Sequence, residues 1–172
     1  MKSLERYKKV MKRIIVIGCP GSGKSTFSVA LNLKTDIPLY HLDMMYWNPD
    51  KTTIDKSVFL HRLKNVIEKE EWIIDGNYAS TMELRLAACD TVFFLDYSPK
   101  VCLEGVRDRM GKPRSDMPWV EREEDAEFIE FIKGYNENVR PTVLSLLEKY
   151  DGKNIFVFHD REEANAFLRG EK

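Results

Sequence analysis

The chain has 172 residues, a formal net charge of -1, 43% hydrophobic residues and 32% charged residues. This length suits one domain with the composition of an ordinary soluble globular protein, and the charge balance lacks the basic excess of a non-specific DNA binder. No apolar run approaches the roughly 20 residues that span a bilayer, and the charged N-terminal segment does not resemble a signal peptide. Three cysteines without metal-ligand or disulfide-like spacing indicate a reducing, cytoplasmic location.

Strand patterns alternate with helical patterns along the chain. Residues 1–10 are expected to be a flexible N-terminal extension or a short extra helix, and a single domain follows. An irregular segment at about residues 110–125 is predicted to be a small lid, and we call it the lid-like segment. The predicted strands are 13–17, 39–42, 72–74, 91–95 and 155–158. Helical patterns cover about 24–33, 55–67, 80–86, 99–110, 128–132 and 141–150, before a short terminal helix.

This alternation predicts an α/β fold with a five-stranded parallel sheet covered by helices on both faces. In such sheets, ligands bind beyond the carboxyl ends of the strands. The residues that directly follow each predicted strand are therefore the first candidates for a functional site.

The segment after the first predicted strand fits the phosphate-binding loop pattern G-x-x-x-x-G-K-[ST] at every fixed position, and a helical pattern follows it. Glycines let successive backbone N–H groups point at phosphate oxygens, and the helix presents its positive dipole end to the same anion. The lysine is expected to reach the β- and γ-phosphates, and the serine hydroxyl to bind Mg²⁺. The predicted nucleotide-binding residues are Gly18, Cys19, Pro20, Gly21, Ser22, Gly23, Lys24, Ser25 and Thr26.

Two acidic residues stand where the second and third predicted strands end. Asp43 follows the strand at 39–42, and Asp75 follows the strand at 72–74. Phosphoryl transfer needs a group that helps to hold Mg²⁺ and a group that orients or deprotonates the acceptor. We assign Asp75 and Ser25 to the metal and Asp43 to the acceptor as a candidate base. A turn or capping role is the ordinary alternative for each Asp.

These motifs together resemble the bacterial FlaR-like family, which is usually labelled "DNA topology modulation protein". The similarity rests on residues 18–26, His41 to Asp43, Trp47 to Pro49 and Trp72 to Tyr78, and it extends over nearly the whole chain from Met11. The family resembles adenylate-kinase-like and shikimate-kinase-like small kinases, which implies that the nucleotide is ATP. Asp75 and Gly76 match the Asp-Gly of nucleoside monophosphate kinases, but the Pro-Arg that follows there is missing here. Phe131 also replaces an arginine of adenylate kinases, so these departures argue against a nucleoside monophosphate acceptor.

Arginines in and around the lid-like segment complete the predicted catalytic set. Small kinases resemble one another in bringing such residues onto the transferring phosphoryl group, where they stabilise the developing charge. Arg107, Arg109 and Arg114 are the candidates here, beside Lys24 and Asp43. A solvated, charged helix end is the ordinary alternative for Arg107 and Arg109. Arg140 is a weaker substitute for the missing arginine.

The acceptor side is predicted from residues near the two aspartates. Trp47 could stack on a planar substrate, whereas Tyr46 is assigned to packing. Arg85 could clamp an anionic acceptor with two hydrogen bonds, and solvent exposure is its alternative. The predicted substrate-binding residues are Asp43, Trp47, Asp75, Gly76, Asn77, Tyr78 and Arg85.

Two classes of function follow from this sequence. The first is a kinase that transfers the γ-phosphoryl group of Mg-ATP to a small molecule or nucleotide. The second, implied by the family label, is an ATP-dependent DNA-associated regulator, although no helix-turn-helix, zinc site or basic stripe supports it. Slow NTP hydrolysis without a specific acceptor is a third possibility. The sequence favours the kinase because two acids and a predicted lid accompany the phosphate-binding loop.

Overall fold

A single parallel β-sheet forms the centre of the molecule. The computed structural model describes residues 4–170. All neighbouring strands are parallel, so the connections between them must cross over the sheet, and most of them contain helices. This arrangement confirms the predicted α/β fold with a five-stranded parallel sheet. The strands are β1 (Arg13–Gly18), β2 (Leu39–His41), β3 (Trp72–Asp75), β4 (Thr91–Leu95) and β5 (Asn154–Phe158), in the order β2-β3-β1-β4-β5.

Helices cover both faces of the sheet, as the sequence predicts. Several begin at side chains that cap free backbone N–H groups; Asp55, for example, accepts a hydrogen bond from the backbone N–H of Ser57. The helices are α1 (Leu4–Tyr7), α2 (Lys24–Thr35), α3 (Leu42–Tyr46), α4 (Lys56–Ile67), α5 (Ala79–Ala88), α6 (Pro99–Arg109), α7 (Ala126–Lys133), α8 (Tyr135–Asn138), α9 (Arg140–Lys149) and α10 (Arg161–Arg169).

The sheet divides the hydrophobic core into two layers. Successive residues of β1 point to opposite faces, so Ile14 and Val16 pack in one layer while Ile15 and Ile17 pack in the other. All four are at most 1% exposed. Burial on both faces explains why the strands read as continuous apolar runs. Because β2, β3 and β1 are neighbours in a parallel sheet, their carboxyl ends lie side by side.

Residues 4–7 form the short helix α1, which is one of the two expectations for residues 1–10, and Leu4 is buried in the core; residues 1–3 lie outside the described part. The structure differs from the predicted elements in the short helices α3 and α8, which the sequence patterns did not predict, and in the end of the second strand. The second strand ends at His41, earlier than expected, so Asp43 lies in the first turn of α3. The backbone N–H of Trp47 bonds to the Asp43 carbonyl and closes this short helix.

Between residues 4 and 170, none of the helices combines the length and the apolar character needed to cross a membrane.

Candidate active site

The phosphate-binding loop connects β1 to α2 at the centre of the sheet's carboxyl edge. Its backbone requires glycine at two positions in particular. Gly21 has φ +84°, and a Cβ there would lie 2.0 Å from the carbonyl oxygen of Cys102 on α6. Gly23 has φ +92° and directly precedes α2. The loop therefore presses closely on α6 and opens toward a cleft at the N-terminus of α2, which is the expected location for a phosphate group.

Lys24 folds back over this loop. Its ammonium group donates hydrogen bonds to the carbonyl oxygens of Gly18 (3.0 Å) and Cys19 (3.2 Å). Burial lowers the pKa of Lys24, and the negative charges of Asp75 and Asp43 act in the opposite direction. The ammonium group thus lies between the loop and the two acids that the sequence singled out.

The hydroxyl of Ser25, the predicted Mg²⁺ ligand, donates a 2.7 Å hydrogen bond to the carboxylate of Asp116. Asp116 belongs to the lid-like segment and is only 6% exposed. It also lies 3.5 Å from the Arg114 guanidinium. Sequence reasoning missed this acid because nothing in its local sequence places it beside a residue so far away along the chain.

Asp75 lies at the end of β3, next to β1, and its carboxylate is buried. Both of its oxygens are 2.9 Å from Nδ1 of His41 at the end of β2. Burial acts to lower the pKa of His41, but the hydrogen bond and negative charge of Asp75 outweigh it, so the pKa is raised. His41 is a second residue of the site that the sequence did not single out.

The oxygen donors Ser25 and Asp75 are suited to Mg²⁺, which usually takes one or two protein ligands and completes its shell with water and phosphate oxygens. Among residues 4–170, no group of three or more His, Cys, Asp or Glu side chains forms a ready-made metal site. This donor set fits a metal ion that arrives with the nucleotide better than one held by the protein alone.

Asp43 lies on the acceptor side of Lys24. Its carboxylate accepts a 2.6 Å hydrogen bond from the hydroxyl of Tyr78. Burial raises the pKa of Asp43, while the Tyr78 hydrogen bond and the charge of Lys24 lower it, and the net effect is an increase. The structure therefore provides a fixed, partly desolvated carboxylate facing the phosphate-binding loop.

Arg85 and Asn77 hold the loop that follows β3, and the predicted role of Arg85 in substrate binding needs correction. Arg85 is completely buried, and its guanidinium donates to the carbonyl oxygens of Gly76 (2.9 Å), Asn77 and Tyr78 (3.3 Å). Its pKa is lowered to about 10 by burial. The side-chain amide of Asn77 bonds to both the N–H and the carbonyl group of Gly18. The buried guanidinium of Arg85 is therefore not free to bind an acceptor, whereas Asn77 lines the cleft and stays a candidate.

The arginines near the lid-like segment differ in position. Arg109 lines the cleft and pairs with Glu121 at 2.8 Å, and Arg114 lies within 3.6 Å of the same carboxylate. Arg107 points to solvent, where it pairs with Glu124, and it does not line the cleft. Arg140 is held by both oxygens of Asp96. Arg109 and Arg114 therefore stay candidates, whereas the structure gives no support to Arg107 or Arg140.

Aromatic side chains form the wall beyond Asp43. Tyr46 packs edge-on against Phe59 and Tyr78, which agrees with its predicted packing role. Trp47 lines the cleft and meets Trp119 of the lid-like segment edge-to-face, with ring centroids 5.0 Å apart. Trp119 is a further residue that sequence reasoning missed.

These residues line one continuous cleft with a volume of about 1720 Å³. This volume exceeds the roughly 300–1,000 Å³ of a typical small-molecule site, so it offers room for two ligands. Its lining includes the phosphate-binding loop, Asp43 and the apolar side chains of Val106, Phe128 and Leu168.

Two solved structures are similar to this chain over most of its length. Shikimate kinase from Bacteroides thetaiotaomicron has a TM-score of 0.54 and 22% identity, and the match covers 93% of this chain and 95% of that one. Shikimate kinase from Aquifex aeolicus has a TM-score of 0.52 and 18% identity, with 91% of each chain covered. The chain therefore shares its fold with these two kinases. No protein-family model and no curated protein matches the chain.

Proposed function

We propose that this protein is a phosphotransferase that moves the γ-phosphoryl group of Mg-ATP to the hydroxyl group of a small acceptor. The observation that carries this proposal is the position of Asp43. It is a half-buried carboxylate, oriented by Tyr78, in the same cleft as Lys24 and the phosphate-binding loop. Simple nucleotide binding gives no reason for such a carboxylate beside the phosphate site, whereas phosphoryl transfer to a hydroxyl does.

In the proposed reaction, Asp43 accepts the proton of the acceptor hydroxyl. The freed electron pair of that oxygen forms a bond to the γ-phosphorus, while the bond from this phosphorus to the β,γ-bridging oxygen breaks. ADP leaves with that electron pair. Lys24, Arg109 and Arg114 stabilise the charge on the transferring group, and the backbone N–H groups of the loop hold the phosphates. Ser25 and Asp75 would hold Mg²⁺, which would neutralise further phosphate charge.

Several finer assignments belong to the same proposal. The resemblance to the FlaR-like family rests on the motifs quoted above, and ATP is preferred over other nucleotides on that resemblance. Three free, buried cysteines agree with a reducing cytoplasm. A role for DNA as partner would need a basic surface, which the near-neutral composition does not favour.

The test is turnover of γ-labelled ATP with Mg²⁺ against a panel of nucleosides, nucleotides, small alcohols and shikimate. Wild type is compared with Lys24→Ala and Asp43→Asn. Lys34→Ala and Asp151→Asn, at exposed positions away from the cleft, are matched controls. A labelled product that requires Lys24 and Asp43 but neither control residue supports the proposal.

Two other outcomes would contradict it. Release of labelled phosphate at the same rate with every acceptor would make the protein a simple NTPase. Tight ATP binding with neither transfer nor hydrolysis would favour an ATP-dependent regulator, which nucleotide-dependent DNA binding would then test.

A further inference from the structure

We infer that the acceptor is an uncharged, planar hydroxyl compound of the nucleoside or aromatic alcohol type, and not a phosphate- or carboxylate-bearing molecule. This inference rests on the proposed function and names its substrate class. Four features of the cleft lead to it: the carboxylates around Asp43, the pairing of the arginines, the chemistry of Asp43 itself, and the aromatic wall.

Three carboxylates line the walls around Asp43. Asp43, Asp75 and Asp116 all line the cleft, and the latter two are 4% and 6% exposed. Their negative charges reinforce one another, since Asp75 and Asp116 both act to raise the pKa of Asp43. Asp116 is paired with Arg114 and Asp75 with His41, and Lys24 belongs to the phosphate-binding loop, where it serves the nucleotide. An anionic acceptor would add a further negative charge at this place.

The arginines of the cleft do not offset this charge. Arg109 and Arg114 are paired with Glu121 and Asp116, and the guanidinium of Arg85 is used by backbone carbonyl groups. The other cations that line the cleft within residues 4–170 are exposed to solvent, where an ion pair with a ligand contributes little. They are Lys51, Lys112, Arg122 and Arg161.

The chemistry of Asp43 also favours a hydroxyl acceptor. A phosphate acceptor is already ionised near neutral pH, with a second pKa of about 6, so it needs no base. A hydroxyl group must lose a proton as the new bond to phosphorus forms, and a carboxylate with a raised pKa is a better base for that step. The hydrogen bond from Tyr78 leaves the second oxygen of Asp43 without a described partner and available to the acceptor.

Trp47 and Trp119 indicate that the acceptor is planar. The two indole rings meet at 85°, so they do not stack face-to-face on each other, and both are only partly buried. Ring surface thus remains for a flat ligand between the body of the protein and the lid-like segment. Stacking of this kind accepts any planar group and does not require charge.

The experiment measures phosphoryl transfer from γ-labelled Mg-ATP to pairs of acceptors that differ by one anionic group. Suitable pairs are adenosine and thymidine against their monophosphates, and benzyl alcohol against para-(hydroxymethyl)benzoate. Binding of the same compounds is followed by tryptophan fluorescence with a non-hydrolysable ATP analogue. We expect kcat/KM for the neutral members to be higher by about 10-fold or more.

Four variants test the aromatic wall. Trp47→Leu and Trp119→Leu remove the planar surface and should raise the acceptor KM about 10-fold, with ATP affinity unchanged. Trp47→Phe and Trp119→Phe keep a flat ring and should stay close to wild type. If Leu and Phe variants behave alike, the stacking role is wrong.

The failure of this inference can be told apart from the failure of the proposed function. Preferential transfer to the anionic members would overturn the inference and leave the kinase assignment intact. Absence of ATP binding, or hydrolysis without transfer to any compound, would overturn the proposed function, and the inference would fall with it.

Discussion

The Ser25 hydroxyl and the Asp116 carboxylate are joined by a 2.7 Å hydrogen bond, although 91 residues separate them in the sequence. Ser25 belongs to the phosphate-binding loop and Asp116 to the lid-like segment. Further ion pairs, from Arg114 to Asp116 and from Arg109 to Glu121, hold the segment around this contact. The predicted metal ligand is therefore linked directly to the segment that covers the cleft.

Asp116→Asn should reduce the preference of the protein for magnesium-bound over metal-free ATP. The carboxylate beside Ser25 repels the bare triphosphate and attracts a divalent cation, so its neutralisation should narrow the ratio of the two affinities about 3- to 10-fold. Calorimetric titration with and without Mg²⁺ measures this ratio. Asp151→Asn is the control for loss of one negative charge, and an unchanged ratio in Asp116→Asn would exclude the electrostatic role.

Asp43→Asn should lower the activity of the protein without lowering its stability. We expect transfer to fall by roughly 100-fold or more because the candidate base is lost. The pKa of Asp43 is higher in the folded protein than in the unfolded chain, so this carboxyl group binds more protons when the protein is folded. Its contribution to the free energy of unfolding therefore falls as the pH rises from the unfolded-state pKa through the folded-state pKa. The variant should therefore be at least as stable as wild type at neutral pH in urea unfolding. A clear loss of stability would contradict the burial argument.

Tyr78→Phe should shift the acidic side of the pH–activity profile to higher pH. The hydroxyl of Tyr78 stabilises the ionised form of Asp43, so its removal should raise the pKa of Asp43 further. Activity requires the ionised carboxylate and should then be lost at a higher pH on the acidic side of the profile. Measurement of kcat against pH tests this shift. Tyr40→Phe, whose hydroxyl interacts with Lys69 at the edge of the sheet, is the matched control.

Arg85→Met should destabilise the protein by about 2–4 kcal/mol. Methionine fills much of the volume but leaves the carbonyl groups of Gly76, Asn77 and Tyr78 without their buried donor. Arg62→Met is a matched control, because Arg62 is exposed and makes one long contact to a backbone carbonyl; we expect a change within about 0.5 kcal/mol there. Urea unfolding compares the two. If Arg85→Met lowered the free energy of unfolding as little as Arg62→Met does, Arg85 would not be needed to hold the loop after β3.

Gly105→Ala should lower stability and ATP affinity. Gly105 lies inside a helix, where alanine is normally preferred over glycine by about 1 kcal/mol. A Cβ at Gly105 would lie 2.1 Å from the carbonyl oxygen of Gly21 in the phosphate-binding loop. We expect a loss of about 1–3 kcal/mol and weaker ATP binding, because α6 must move away from the loop. Gly152→Ala, where a Cβ meets no atom within 4 Å, should leave ATP affinity unchanged. Thermal unfolding and ATP titration measure both effects.

Local sequence patterns were sufficient to predict most of the fold. Apolar runs and helical spacing identified all five strands and the longer helices between them but not the short helices α3 and α8. The glycine-rich motif coincides with the loop between β1 and α2. The end of β2 was placed too late because Leu42 is apolar and continues the strand pattern, yet it is the first residue of α3. The apolar character of a single residue cannot distinguish the end of a buried strand from the start of a buried helix.

The site was predicted less completely because its details depend on distant contacts. Arg85 was read as a ligand-binding arginine, since the sequence does not show that three carbonyl groups of the preceding loop converge on it. Asp116 and Trp119 were overlooked because they belong to an irregular segment without periodicity. Their roles follow only from where that segment crosses the cleft.

All three cysteines of the chain are buried, with Cys19 in the phosphate-binding loop and Cys102 beneath it on α6. The hydrogen bond with Cys102 and burial raise the pKa of the Cys19 thiol, and burial raises that of Cys89 to about 11. Thiol reagents attack the exposed thiolate, so the native protein should resist modification until it opens locally. A triphosphate that fills the loop should slow modification of Cys19 while Cys89, at the opposite edge of the sheet, reacts as before. The chain thus carries its own chemical probe of nucleotide occupancy.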